Sequence, residues 1–206
     1  MSQRLILATR NAHKVTELRA ILAEAGVTLD LVGADAYPDV PDVRETGVTF
    51  AENALLKART LAAATGAPAV ADDSGLCVDV LGGAPGIFSA RWAGTHGDDA
   101  ANLALLLAQL SDIEAPHRAA HFACAAALAL PDGTEHVAEG TLRGVLRHAP
   151  AGDGGFGYDP ILQPDGPAEL VAGRTCAELT PEEKNAISHR GRAFRALAPV
   201  IRDLLG

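Results

Sequence analysis

The chain is short of aromatic rings, of sulfur and of positive charge, and each shortage removes a class of protein. Only eight of its 206 residues are aromatic, so a core must be built from Ala, Val, Leu and Ile, which the 48% apolar content supplies. Lys and Arg number 17 against 26 Asp and Glu, a formal charge of −9. That balance excludes a nucleic-acid polymer as partner, which would demand a basic face. It leaves room for a single polyanionic ligand held by a few local cations and a metal. Three scattered cysteines, Cys77, Cys124 and Cys176, form neither a disulfide framework nor a zinc pattern, and point to a reducing, cytoplasmic setting. No apolar run approaches a membrane span, and MSQRLILATRN has four apolar residues in succession, so neither a membrane anchor nor a signal peptide is expected. Repeats and low-complexity linkers are also missing. One domain over residues 1–206, large enough to form two joined lobes, is the expectation.

What is present alternates between strand and helix patterns. Leu5–Ala8 reads as a buried strand, Thr9–Lys14 as a polar loop, and Val15, Leu18, Ile21, Leu22 and Ala25 as one helical face ended by Gly26. Leu29–Gly33 predicts a second strand and Tyr37–Glu45 an exposed loop. Thr49–Glu52 has the form of a capping box, opening a helix that stops at Gly66-Ala67-Pro68 and carries Asn53 and Lys57 on one face. Asp98-Asp99 is placed to cap a helix over Ala100–Leu110, and Pro131-Asp132-Gly133 turns Ala119–Leu130 back as a hairpin through Thr134–Leu142. Ile161-Leu162 is a short strand. Thr180–Glu183 is a second capping box, starting a helix that carries Lys184 to His189-Arg190 and breaks near Gly191; Ala193–Leu205 is the last helix. The class is α/β.

The centre of this pattern is Ala71–Gly94, where Ala69-Val70-Ala71 meets Asp72 and Asp73 at the expected end of a strand, followed by five glycines. Adjacent carboxylates raise each other's proton affinity and call for a metal, a basic partner or water. Glu45 with Asp72 and Asp73 suits Mg²⁺, which takes one or two protein carboxylates plus phosphate and water; solvated loop acids are the plainer alternative. Thr9, Arg10, Asn11 and Lys14 lie between a strand and a helix N-terminus, where hydroxyl, amide and ammonium groups serve phosphate oxygens, although an ordinary helix start with surface cations fits equally. Phe156 between glycines in Gly154–Asp159 makes either a stacking platform or a tight turn. Lys184, His189 and Arg190 either meet ligand oxygens or complement a helix dipole. His117 and His121 lack an acidic partner at metal-binding spacing.

The ordered segments LATRNAHKVTEL, ETGVTFAENALLKA, ADDSGLCVDVLGGAPGIFSARWAG, GGFGYDP and AELTPEEKNAISHRG resemble the inosine triphosphate pyrophosphatase family, the XTP/dITP diphosphatases, almost from end to end. The resemblance implies a mixed, elongated sheet flanked by helices, in two lobes with an active-site cleft between them, usually as a homodimer. It implies Mg²⁺-dependent hydrolysis of noncanonical purine nucleoside triphosphates (ITP, dITP, XTP) to the monophosphate and pyrophosphate. By that resemblance Thr9, Arg10, Asn11 and Lys14 hold phosphates, with Lys57 adding charge. Glu45 and Asp73 bind Mg²⁺ with Asp72 close by, and Asp73 is the base. Ser74 contacts substrate, Phe156, Gly157, Tyr158 and Asp159 border the base, and Lys184, His189 and Arg190 read its 6-oxo edge. Arg10 stands where the family commonly has glycine: turned inwards it adds a phosphate contact, turned outwards it changes nothing. Gly82–Trp92 shapes either the cleft or the dimer contact. A phosphatase releasing orthophosphate and a non-catalytic nucleotide sensor are the rival readings.

Overall fold

The computed structural model describes residues 3–10, 12–41 and 43–206. Six strands, Arg4–Leu7 (β1), Asp30–Gly33 (β2), Ala69–Val78 (β3), Ala119–Ala129 (β4), Glu135–Leu146 (β5) and Leu162–Pro164 (β6), form one sheet in the order β2-β1-β3-β4-β5-β6. β1 runs parallel to β2 and β3, while β5 and β6 are antiparallel, so the sheet is mixed. The helices are Ala12–Glu24 (α1), Phe50–Thr65 (α2), Asp99–Gln109 (α3), Ala168–Val171 (α4), Pro181–Ile187 (α5) and His189–Leu205 (α6). Two compact units result, neither continuous in sequence. Met1–Asp73, Cys124–Gly140 and Arg190–Gly206 make the first; Ser74–Ala123 and Thr141–His189 make the second.

In the first unit the strand period of two sorts the core into faces. Leu5, Leu7, Val70, Ala126 and Leu128 pack with α1 and α6, while Ile6, Ala69, Ala71, Ala125, Ala127 and Ala129 pack with α2. On the α2 side Ala54, Ala58 and Ala62 repeat every fourth residue, so alanine meets alanine and the scarcity of rings is no handicap. Thr49 Oγ1 caps α2 through Glu52 N, although the Glu52 carboxylate accepts from Val48 N rather than closing the box on Thr49. Gly66 ends the helix in the left-handed region.

The second unit packs Leu76, Val78, Leu106, Leu110, Leu142, Leu146, Ile161 and Leu162 together. At its centre the buried Arg118 guanidinium donates to the carbonyls of Leu110, Ile113, Leu146 and Arg147 at 2.6–3.2 Å. It thereby ties the end of α3 and the turn after it to the end of β5.

Two elements depart from the sequence pattern. β3 does not end at the aspartates but continues through Asp72, Asp73 and Ser74 to Val78. The helix carrying Lys184 stops at Ile187, Ser188 is extended (φ −60°, ψ 145°), and His189 opens α6. Serine in the extended region is a favoured neighbour of a helix start; the break therefore falls there and not at Gly191.

Candidate active site

Because β3 is extended through both aspartates, their side chains lie on opposite faces of the sheet. Asp73 faces α2. Its Oδ1 accepts from Lys57 Nζ at 3.2 Å and its Oδ2 from Asn53 Nδ2 at 3.2 Å. Lys57 Nζ also donates to Glu45 Oε1 at 2.9 Å, so one ammonium joins both acids. Asn53, fully buried, accepts Gly47 N at 2.8 Å and so ties the segment that carries Glu45 to the same helix. A Cβ on Gly47 would lie 2.7 Å from Asn53 Oδ1, which explains a glycine there.

Asp72 faces the other way. Both its oxygens lie 3.4 Å from Lys14 Nζ, and Oδ2 accepts from Arg190 Nε at 3.0 Å. Burial works to raise its pKa, but Arg190, Lys14 and Lys57 outweigh that and hold the carboxyl well below the usual range. For Asp73 the balance is reversed. Burial and the charge of Glu45 raise its pKa, and the opposing pulls of Lys57 and Asn53 do not cancel them. Lys57, although burial disfavours its charge, is held above its ordinary value by Asp73 and Glu45. Neighbouring carboxylates with opposite shifts are the pattern of separated roles.

A cavity of about 380 Å³ in the first unit is lined by Thr9, Arg10, Glu45 and Lys57 together with Ala8, Ala34 and Val40. Arg10 therefore borders the cavity, and its Nη2 reaches the Val40 carbonyl at 3.4 Å. Asn11, assigned to the phosphate loop, lies outside the described residues.

The second unit holds a cavity of about 110 Å³, lined by Ser74, Phe156, Gly157, Tyr158, Asp159 and His189, with Ser89 and Asp99. Phe156 is 61% exposed, and Lys184 Nζ lies 4.9 Å from its ring centroid. Lys184 pairs with the buried Asp159, whose Oδ2 also accepts Phe156 N at 2.8 Å. Gly155 has φ +73°, and a Cβ there would collide with the Asp159 carboxylate; only glycine lets the loop close on that group. Gly157 N donates to Asp99 Oδ2 at 2.8 Å, and Tyr158 donates to the Ser89 carbonyl at 2.9 Å. His189 stacks on Phe122, with centroids 5.0 Å apart and planes at 22°. Ser89 and Ala90 bring part of Gly82–Trp92 to this cavity.

The structure thus groups Glu45, Lys57 and Asp73; Lys14, Asp72 and Arg190; and Phe156, Asp159 and Lys184. Arg190 stands with Asp72. Three partners are not assigned to the site by the sequence. Asn53 carried a signal, its place on the Lys57 face of α2. Asp99 was expected as a helix cap, but Asp98 Oδ1 takes Ala101 N and frees Asp99 for the glycine loop. Phe122 gave no signal, since its contact depends on where the last helix begins.

Among the described residues no three His, Cys, Asp or Glu converge on one point. Glu45 and Asp73, both within 3.2 Å of the Lys57 ammonium, offer hard oxygen donors with an excess of negative charge. That set fits Mg²⁺, which completes its shell with water and phosphate.

The sequence pattern of the Ham1 family matches residues 5–200. The chain belongs to that family. A dITP/XTP pyrophosphatase of Streptomyces avermitilis is 79% identical over 203 residues, covering 98% of this chain and 99% of its own. One from Nocardia farcinica is 55% identical, covering 98% and 96%. Among solved structures, a nucleoside-triphosphatase / dITP/XTP pyrophosphatase from Mycobacterium abscessus superposes with a TM-score of 0.77 at 51% identity, over 97% of this chain and 99% of that one. A HAM1 protein from Coxiella burnetii gives 0.86 at 39% identity, over 98% and 99%.

Proposed function

We propose that this protein hydrolyses ITP, dITP and XTP to the nucleoside monophosphate and pyrophosphate, with Asp73 as the base. The observation that carries the reading is the Glu45–Lys57–Asp73 cluster with its support from Asn53, in a chain 79% identical to a dITP/XTP pyrophosphatase. Asp73 is held in place by Lys57 and Asn53, so it can meet an attacking water in a fixed geometry. In this reading it takes the proton of the water that attacks the α-phosphorus as pyrophosphate leaves. Thr9, Arg10, Asn11 and Lys14 bind the phosphates, and Lys57 offsets charge between the acids. Glu45 and Asp73 would hold Mg²⁺, which supplies charge neutralisation at phosphate oxygens and a lowered pKa for nearby water.

Phe156 offers its exposed face to the purine while Lys184 and Asp159 fix the loop beneath it. Ser74, Gly157, Tyr158 and His189 border the same space. Selectivity for a 6-oxo purine follows where polar groups pair with that oxygen and are left unsatisfied by the 6-amino group of adenine. Cytoplasmic placement belongs to this reading: Cys77, Cys124 and Cys176 are free thiols, and no described helix is long and apolar enough to cross a membrane. So does a homodimer, to which Val80 and Phe88 of the second unit offer exposed apolar surface; sedimentation should give about twice 21.2 kDa.

The test is a panel of ITP, dITP, XTP, GTP, ATP and dTTP with Mg²⁺, scored for pyrophosphate and orthophosphate. Pyrophosphate from the first three above the others is expected. Orthophosphate as first product, binding without turnover, or preference for dTTP would each overturn the reading.

A further inference from the structure

Of the acids in the ADDS segment, only Asp72 has no part in the scheme above, yet it is the most deeply enclosed, with 3% of its side chain exposed. We propose that Asp72 is a positioning residue, which aims Lys14 at substrate phosphate and holds Arg190 at the start of α6, and that it does not ligate the metal. The inference rests on the pyrophosphatase reading for what Lys14 meets, but its geometry stands without it.

The pleat is the first argument. In an extended strand neighbouring side chains diverge, so Asp72 points away from the α2 face on which Asp73 and Glu45 share Lys57. The second is occupancy. Asp72 accepts from Arg190 Nε at 3.0 Å and stands 3.4 Å from Lys14 through both oxygens. Breaking such a pair to admit another cation would cost a buried guanidinium its carboxylate partner, and separating a buried pair is strongly unfavourable. Third, Arg190 is the second residue of α6, where the helix dipole opposes a cation, so this arginine needs a counter-ion there. Fourth, the side chain of Lys14 keeps 29% exposure. It is tethered to Asp72 without being enclosed, as a phosphate-binding cation should be. Counting charges, Lys14 and Arg190 against Asp72 leave one positive charge for an anion. Glu45 and Asp73 against Lys57 leave one negative charge for a metal.

The experiment compares wild type, Asp72→Asn, Lys14→Met, their double variant and Asp73→Asn as full chains. Mn²⁺ binding is read by electron paramagnetic resonance, inorganic pyrophosphate binding by calorimetry, and KM and kcat with ITP. Asp72→Asn should keep Mn²⁺ affinity within twofold while weakening pyrophosphate binding and raising KM about tenfold or more. The double variant should be no worse than Lys14→Met by more than twofold. A tenfold loss of Mn²⁺ affinity in Asp72→Asn, matching Asp73→Asn, would overturn the proposal, as would fully additive effects with Lys14→Met. Should Asp72→Asn fail to fold, Lys14→Met alone decides. If Asp72 ligates metal, removing the competing ammonium tightens Mn²⁺; here Mn²⁺ affinity is expected unchanged. Neither binding readout needs turnover, so absence of pyrophosphate release by wild type would count against the enzymatic reading and leave this one standing.

Discussion

The two units handle polar groups in opposite ways. In the first, every acid of the site is locked to a cation or amide: Asp73 to Lys57 and Asn53, Asp72 to Lys14 and Arg190. In the second, the prominent feature is an uncovered aromatic ring on glycines, with its charges, Lys184 and Asp159, paired beneath it. A site for phosphate chemistry must fix charge before the substrate arrives, because preorganised groups need no rearrangement during reaction. A site for a flat base needs an open face.

The sharpest way to break this contrast is Asp73→Asn, which should cost about 10²–10⁴ in kcat, the usual worth of a general base. A loss within severalfold would remove the first unit from the chemistry. Phe156→Ala comes next. Loss of one stacking partner costs about 1–3 kcal/mol, so KM should rise roughly 5- to 150-fold with kcat little changed; a fall confined to kcat would put the ring in the wrong role.

Much of this division can be read in the sequence, and the rest has physical reasons for being hidden. Thr180 with Glu183 and Thr49 with Glu52 mark helix starts that the structure reproduces, because caps are local. The Leu130–Thr134 turn around Gly133 is equally local and equally visible. The continuation of β3 through two aspartates is not, since the cations that make it tolerable lie 58 and 118 residues away in sequence. Arg118 is hidden for the same reason, since its four carbonyl partners come together only in the folded unit. The ligand-bearing residue types were legible; which face each one takes was not.

Asn53→Ala should have a smaller effect than either substitution above. It removes a hydrogen bond to Asp73 and leaves Gly47 N without its acceptor, a cost of about 1–3 kcal/mol. A five- to tenfold drop in kcat/KM with a lowered melting temperature is expected, and the two readouts should move together.

The smallest effect is in pH dependence, and its sign separates the two aspartates. The lowered pKa of Asp72 contributes stability above the ordinary carboxylate value, which is lost as pH falls through its folded pKa. Asp73, raised in the folded state, works the other way: it costs stability as pH rises from the ordinary value through its raised one. At neutral pH, therefore, Asp73→Asn should melt no lower than wild type while Asp72→Asn melts clearly lower. Thermal melts of the pair check this, and a reversed order would dissolve the contrast between the two faces of β3.

The most direct test of the account is to hydrolyse ITP with Mg²⁺ in ¹⁸O-labelled water and find the label. Attack at the α-phosphorus, with Asp73 as base, places one ¹⁸O in IMP and none in pyrophosphate. Label in pyrophosphate, or in orthophosphate released first, would contradict it.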